Sequence, residues 1–123
     1  MEINGRQINA TSEPYIIAEL SANHNQDYNC AIKLIDAAYQ SGADAIKLQT
    51  YRADTITINC DKEDFQIKGG LWDGQTLFEL YQKAYTPWEW HKDLKEYANN
   101  LGMDLFSSPF DVTAVDYLEN LDM

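Results

Sequence analysis

Tyr15-Ile16-Ile17-Ala18-Glu19 and Asp44-Ala45-Ile46-Lys47-Leu48-Gln49, with a helical stripe between them, decide the fold. The first is a short apolar run after Pro14 that ends on a carboxylate and enters a polar stretch, Ser21 to Asp27. A continuous run of this length suits a strand covered on both faces. Between the two runs, Ala31, Leu34, Ile35 and Ala38 recur at i, i+3, i+4 and i+7. Asp27 and Asn29 are candidate N-caps, and Gly42 is a C-terminal stop. The second run reads as another strand with polar groups at its end. Two strands joined by a helix lie parallel, so this is a β-α-β unit.

Downstream the rhythm breaks and then resumes. Residues 52–75 mix β-formers (Thr55-Ile56-Thr57-Ile58), charges (Asp61-Lys62-Glu63-Asp64) and glycines (Gly69-Gly70, Gly74), and read as a long inserted loop after the second strand. Leu77, Leu80, Tyr81 and Ala84 then carry helical spacing behind a capping Thr76. Thr86-Pro87 reads as the cap and first position of another helix, with Trp90, Leu94, Tyr97, Ala98 and Leu101 as its apolar face and Gly102 as its end. Met103-Asp104-Leu105-Phe106-Ser107-Ser108 is a third strand stopped by Pro109. Asp111 caps a last helix whose buried face is Ala114, Val115, Leu118 and Leu121.

The alternation predicts an α/β protein, a parallel sheet with outer helices, in an open sheet or a (β/α)₈ barrel. A barrel takes about 200 residues or more, and the 123 residues here supply three strands. Three strands are too few for either; read as a barrel, the chain is the N-terminal portion of a TIM (β/α)₈ barrel, about three β/α units. Ile17, Ile46, Leu48 and Leu105 are expected to face inward and to lack half their partners. A buried aliphatic side chain is worth roughly 1.5–3 kcal/mol and a domain only about 5–15 kcal/mol. The isolated chain is thus expected to associate, aggregate, exchange elements, or order only within a larger protein.

Composition bounds the function. Acids number 20 and Lys plus Arg number 9, a net charge of −11, which argues against nucleic acid or an anionic membrane as partner. No apolar run approaches the ~20 residues of a membrane helix. The N-terminus lacks the basic and apolar regions of a signal peptide. Cys30 and Cys60 are too few for a disulfide scaffold and have no metal-type spacing. A cytoplasmic, reduced protein is the simplest reading, and the sequon Asn9-Ala10-Thr11 reads as chance.

In parallel α/β folds the working residues stand at the C-terminal ends of strands. There the first strand delivers Glu19, then Asn23 and His24; the second delivers Lys47 and Gln49; the third delivers Ser107 and Ser108. A carboxylate, an ammonium, an amide and two hydroxyls suit a small, polar, anionic ligand. Glu19 could also simply pair with Lys47. A lysine inside an apolar strand is costly to bury alone, so Lys47 is paired or stands at a site. His24 reads as a hydrogen-bonding loop residue, and His91 as surface or packing, away from the rim. Trp72, Trp88 and Trp90 read as packing. No Gly-rich phosphate loop, catalytic triad or metal motif is present.

These residues resemble a known family. Ile17-Ala18-Glu19 with Asn23-His24, Ala45-Ile46-Lys47-Leu48-Gln49-Thr50 and Phe106-Ser107-Ser108-Pro109-Phe110 are similar to strands of the sialic acid (nonulosonic acid) synthase family. Gly69-Gly70-Leu71-Trp72-Asp73-Gly74-Gln75-Thr76-Leu77 and Tyr85-Thr86-Pro87-Trp88-Glu89-Trp90-His91 resemble its pseudaminic acid synthase branch. The resemblance implies a barrel that condenses phosphoenolpyruvate with an open-chain amino sugar, 2,4-diacetamido-2,4,6-trideoxy-L-altrose in that branch. It implies a divalent metal, Mn²⁺ or Mg²⁺, and a homodimer. By the same resemblance Lys47 and Ser108 contact phosphoenolpyruvate, Gln49 faces the sugar, and Glu19 lies near the sugar and metal; Glu19 and Lys47 are the expected catalytic residues, and Lys47, Gln49, Ser108 and Asn23 the expected substrate-binding ones. The family's metal-binding histidines, a second lysine and an antifreeze-like domain belong to segments beyond Met123. The alternatives are an N-acetylneuraminate or legionaminate synthase, or a non-catalytic truncated α/β module.

Overall fold

A computed structural model describes residues 1–123. It opens with an antiparallel hairpin, β1 (Glu2–Ile3) and β2 (Arg6–Gln7). Asn4 (φ 45) and Gly5 (φ 79) make its turn. Positive φ at both central residues is the turn geometry that Asn-Gly favours. The sequence reading passed over this element, although the dipeptide signals it.

β3 (Ile17–Glu19), β4 (Ala45–Thr50) and β5 (Asp104–Pro109) form a parallel sheet in the order β3-β4-β5. Between β3 and β4 runs α1 (Tyr28–Gln40), where the Asp27 carboxylate accepts from the backbone N–H groups of Asn29 and Cys30. After β4 come a short helix α2 (Ala53–Ile56) and a 3₁₀ turn (Glu63–Phe65). α3 (Leu77–Ala84) follows, closed by a reciprocal capping box between Thr76 and Glu79. A second 3₁₀ turn (Trp88–Trp90) leads into α4 (His91–Asn100), and α5 (Val112–Asn120) follows β5 with Asp111 accepting from the Ala114 N–H.

One hydrophobic layer lies between the sheet and the helices. Ile46 and Leu48 of β4 and Leu105 of β5 pack with Ala31 and Ile35 of α1 and with Leu94 and Ala98 of α4. That corrects the expectation of a common inward face. Three of the four aliphatics point to the helices. Ile17 pairs in register with Ala45, on the other face, and stays 46% exposed. Side chains alternate along a strand, so the residues between the core positions are the ones the opposite face receives.

Two further expectations are corrected. Thr86 does not cap a helix; no side-chain cap opens the Trp88–Trp90 turn, and the Thr86 hydroxyl is buried instead against His24. Val115 is 48% exposed, whereas Ala114 and Leu118 form the buried side of α5.

The N-terminal ends of the strands are tied by polar contacts. Arg6 of the hairpin pairs with Asp44 and donates to the Pro14 carbonyl at 3.0 Å. The Asp44 carboxylate also accepts from the Ile16 N–H at 2.7 Å. That backbone donor first, and Arg6 after it, hold the Asp44 carboxyl below its ordinary value. Asn4 and Tyr15 both donate to Asp104.

Candidate active site

The register of the sheet assembles the site. Glu19 pairs with Lys47, and Gln49 pairs with Ser108. All four occupy the face turned away from α1 and α4. Lys47 Nζ lies 2.7 Å from Glu19 Oε2, with side-chain exposures of 33% and 39%. The pairing that the sequence left open is therefore made. Half-exposed pairs of this kind contribute little to stability, about 0–1 kcal/mol.

Gln49 is oriented by a residue the sequence reading did not single out. Its Nε2 donates to Ser21 Oγ at 3.1 Å. Ser21 sits just after β3 with φ 52, a left-handed conformation that turns the chain back over the strand end. Ser21 belongs to the polar stretch recognised after the first strand, but nothing in a single serine signals φ > 0. Asn23 is exposed, and its amide donates to the Leu20 carbonyl at 3.1 Å. It makes no hydrogen bond to the other four.

The serine doublet divides. Ser108 shares the face of Gln49, whereas Ser107 pairs with Leu48 and points to the helices. There its hydroxyl meets Thr50 Oγ1 at 2.6 Å, and Thr50 Oγ1 meets His91 Nε2 at 2.7 Å. His91 is fully buried and bonded to the last residue of β4, so it is packing, as one of the two readings had it, but not remote from the rim. His24 is also fully buried; its Nε2 lies 3.2 Å from Thr86 Oγ1 and its Nδ1 accepts from the Gln26 N–H. Burial lowers the pKa of both imidazoles.

Beyond the strand ends, Tyr51 stacks edge-on with Tyr81 and with Phe110, at 5.7 and 5.4 Å between ring centres. Burial pushes the Tyr51 hydroxyl up to about 12, so it serves as a neutral wall. The Lys47–Glu19 face itself is open. The largest concavity, about 500 Å³, lies instead by Ile3, Asn4, Lys95, Asp104 and Phe106. An ammonium, a carboxylate, an amide and a hydroxyl on one open surface can bind an anion at Lys47 and Ser108 and a polar, uncharged group beside Gln49.

The NeuB family model matches residues 34–123, which include β4, β5 and the helices between them. The chain belongs to the NeuB family. A pseudaminic acid synthase of Campylobacter jejuni is 54% identical over 114 residues, which cover 93% of this chain and 33% of the relative. An N,N'-diacetyllegionaminic acid synthase of Legionella pneumophila is 38% identical over 122 residues, covering 98% of this chain and 34% of its own length. The crystal structure of an N-acetylneuraminic acid (sialic acid) synthetase from Leptospira borgpetersenii, in complex with citrate, superposes with a TM-score of 0.78 at 25% identity. It covers 98% of this chain and 38% of that one. This NeuB chain thus spans about a third of the length of the curated relatives it matches. Its fold is that of the sialic acid synthase barrels, of which it carries about three β/α units.

The divalent metal implied by the family resemblance finds no donor set among these residues. No three His, Cys, Asp or Glu side chains cluster as a cation site. Both imidazoles have their ring nitrogens engaged inside the protein, and the Glu19 carboxylate is engaged by Lys47. A metal in this family's chemistry would need ligands from outside residues 1–123. No helix is long and apolar enough to cross a membrane.

Proposed function

We propose that the protein is a phosphoenolpyruvate-dependent nonulosonic acid synthase of the pseudaminic acid branch. The reaction is condensation of phosphoenolpyruvate with 2,4-diacetamido-2,4,6-trideoxy-L-altrose, forming a C–C bond and releasing phosphate. The observation that carries this reading is the convergence of Lys47, Gln49, Ser108 and Glu19 on one open face at the ends of three parallel strands. The identity of 54% to a pseudaminic acid synthase, against 38% to a legionaminic acid synthase, supports the branch.

In this reading the C3 carbon of phosphoenolpyruvate attacks the sugar aldehyde, water attacks C2, and the tetrahedral intermediate expels phosphate by C–O cleavage. Lys47 supplies a fixed positive charge to the phosphoenolpyruvate anion, and Ser108 donates a hydroxyl to it. Gln49, held by Ser21, presents its amide to the sugar, and Asn23 lies on the substrate side in the loop after β3. Glu19 keeps the Lys47 ammonium placed and faces the sugar. The roles of these residues do not depend on the metal, whose ligands they do not provide. The same reading makes the enzyme a cytoplasmic homodimer.

The product of the intact gene, supplied with phosphoenolpyruvate and divalent metal, is tested for phosphate release with the altrose derivative, with the legionaminate precursor and with N-acetylmannosamine. Release with the altrose derivative is expected to exceed the others by about 10²-fold. Preference for another sugar moves the protein to that branch, and no release with any of them overturns the enzyme reading.

A further inference from the structure

With the fully buried His91 imidazole neutral, the polar chain behind β5 has a single consistent proton arrangement. His91 Nδ1 lies 3.3 Å from the Pro87 carbonyl, which can only accept, so Nδ1 carries the proton. Nε2 is then a lone-pair acceptor and takes the Thr50 hydroxyl proton at 2.7 Å. With its one proton committed, Thr50 Oγ1 accepts from the Ser107 hydroxyl at 2.6 Å. The order runs Ser107 to Thr50 to His91 to Pro87, every link donor to acceptor. The ring cannot swing away. His91 is fully buried, and its edge meets the Tyr117 ring at 5.6 Å, while Tyr117 is itself bonded to the Trp88 carbonyl.

We propose that His91 is a positioning residue for the anion-binding face, fixing the end of β5 through Thr50 and Ser107 so that Ser108 stands beside Gln49 and Lys47. This rests on the reading that Ser108 binds the phosphoenolpyruvate anion. Backbone bonds tie this end of β5 to β4 as far as the Phe110 N–H, which donates to the Thr50 carbonyl at 3.2 Å. They do not set the Ser107 side chain, whose hydroxyl bond to Thr50 takes its direction from His91. Without an acceptor at His91, the Thr50 proton is free to turn to Ser107, either hydroxyl becomes the donor, and the Ser107 side chain is no longer set. Ser108 is the next residue along the same strand and alternates to the opposite face, so a twist at Ser107 is transmitted to its hydroxyl. Thr50 and His91 are fully buried, and burying such polar side chains is costly unless they are satisfied. An apolar trio of the same shape would serve packing alone.

The test uses the product of the intact gene. Thr50→Val, which keeps the shape and removes both hydrogen bonds, is expected to raise KM for phosphoenolpyruvate about tenfold, with kcat and the sugar KM within about twofold. His91→Phe is expected to do the same, and His91→Gln, which restores an acceptor, to recover most of the loss. Where Thr50→Val does not fold, Ser107→Ala carries the same expectation. Long-range proton–nitrogen spectra are expected to show His91 as the neutral Nδ1–H tautomer at pH 6. An unmoved phosphoenolpyruvate KM alongside a lowered Tm, or an Nε2–H tautomer, overturns the positioning role while leaving the synthase reading intact. A wild-type protein that releases no phosphate with any sugar overturns both.

Discussion

Along β4, Ile46, Leu48 and Thr50 are sealed against the helices, whereas Lys47 and Gln49, one peptide unit away, face the opposite side. β5 repeats the division, with Leu105 and Ser107 inward to the helix layer and Ser108 outward. The two faces share every backbone hydrogen bond and yet answer to different demands. One is selected by volume and by complete satisfaction of buried polar groups. The other leaves its charge and hydrogen-bonding capacity available. Substitutions on the two faces are therefore expected to separate stability from activity.

The largest expected effect is on the helix-facing side. Leu48→Ala is expected to lower unfolding free energy by about 2–5 kcal/mol, the cost of a cavity in a fully packed site, measured by urea denaturation. A loss no greater than that of Gln49→Ala would erase the distinction between the faces. On the open side, Lys47→Met is expected to cut phosphate release about 10²–10³-fold. Its effect on the denaturation midpoint should be slight, because an ion pair this exposed is worth about 0–1 kcal/mol. A large loss of stability in Lys47→Met would mean that the pair is structural.

Acid sharpens the same contrast. His24 and His91 are both depressed by burial from the ordinary value of 6.5. Their contribution to stability is therefore complete above that pH and is lost progressively as pH falls below it, because the unfolded chain takes up protons that the native interior refuses. Urea midpoints recorded from pH 8 to pH 5 should fall in the acid range, and His24→Gln or His91→Gln should flatten the slope. A wild-type midpoint that stays level from pH 8 to pH 5 would show that the imidazoles protonate without penalty. The smallest effect is expected at the rim, where Asp111→Ala removes the cap of α5 at a cost of about 0.5–2 kcal/mol, readable as a shift in Tm.

The parallel sheet was legible because each strand is a compact apolar run and each connection carries a helical stripe with a capping carboxylate or hydroxyl at its start, as Asp27, Thr76 and Asp111 do. Which face of the sheet the helices cover was not. Ala45-Ile46-Lys47-Leu48-Gln49-Thr50 alternates clearly, but alternation says only that two faces differ. The location of the core among α1 and α4 is a tertiary fact, and it sent Ile46, Leu48 and Leu105 to the helices. In the candidate site, the pairing of Lys47 was legible because an ammonium in an apolar strand needs a partner. Ser21 and His91 were not, since one acts through a left-handed backbone and the other through two hydroxyls from distant parts of the chain.

The N-terminal hairpin bears on how the molecule is made. Asn4 bonds to Asp104, a partner 100 residues later in the sequence. At typical rates of about 5–20 residues per second, the hairpin waits roughly 5–20 seconds on the ribosome before Asp104 is synthesised. Arg6 has an earlier partner in Asp44, 38 residues on. During translation the hairpin can therefore first clamp onto the end of β4 and add β5 when it arrives, so that the order of synthesis and the order of the sheet coincide.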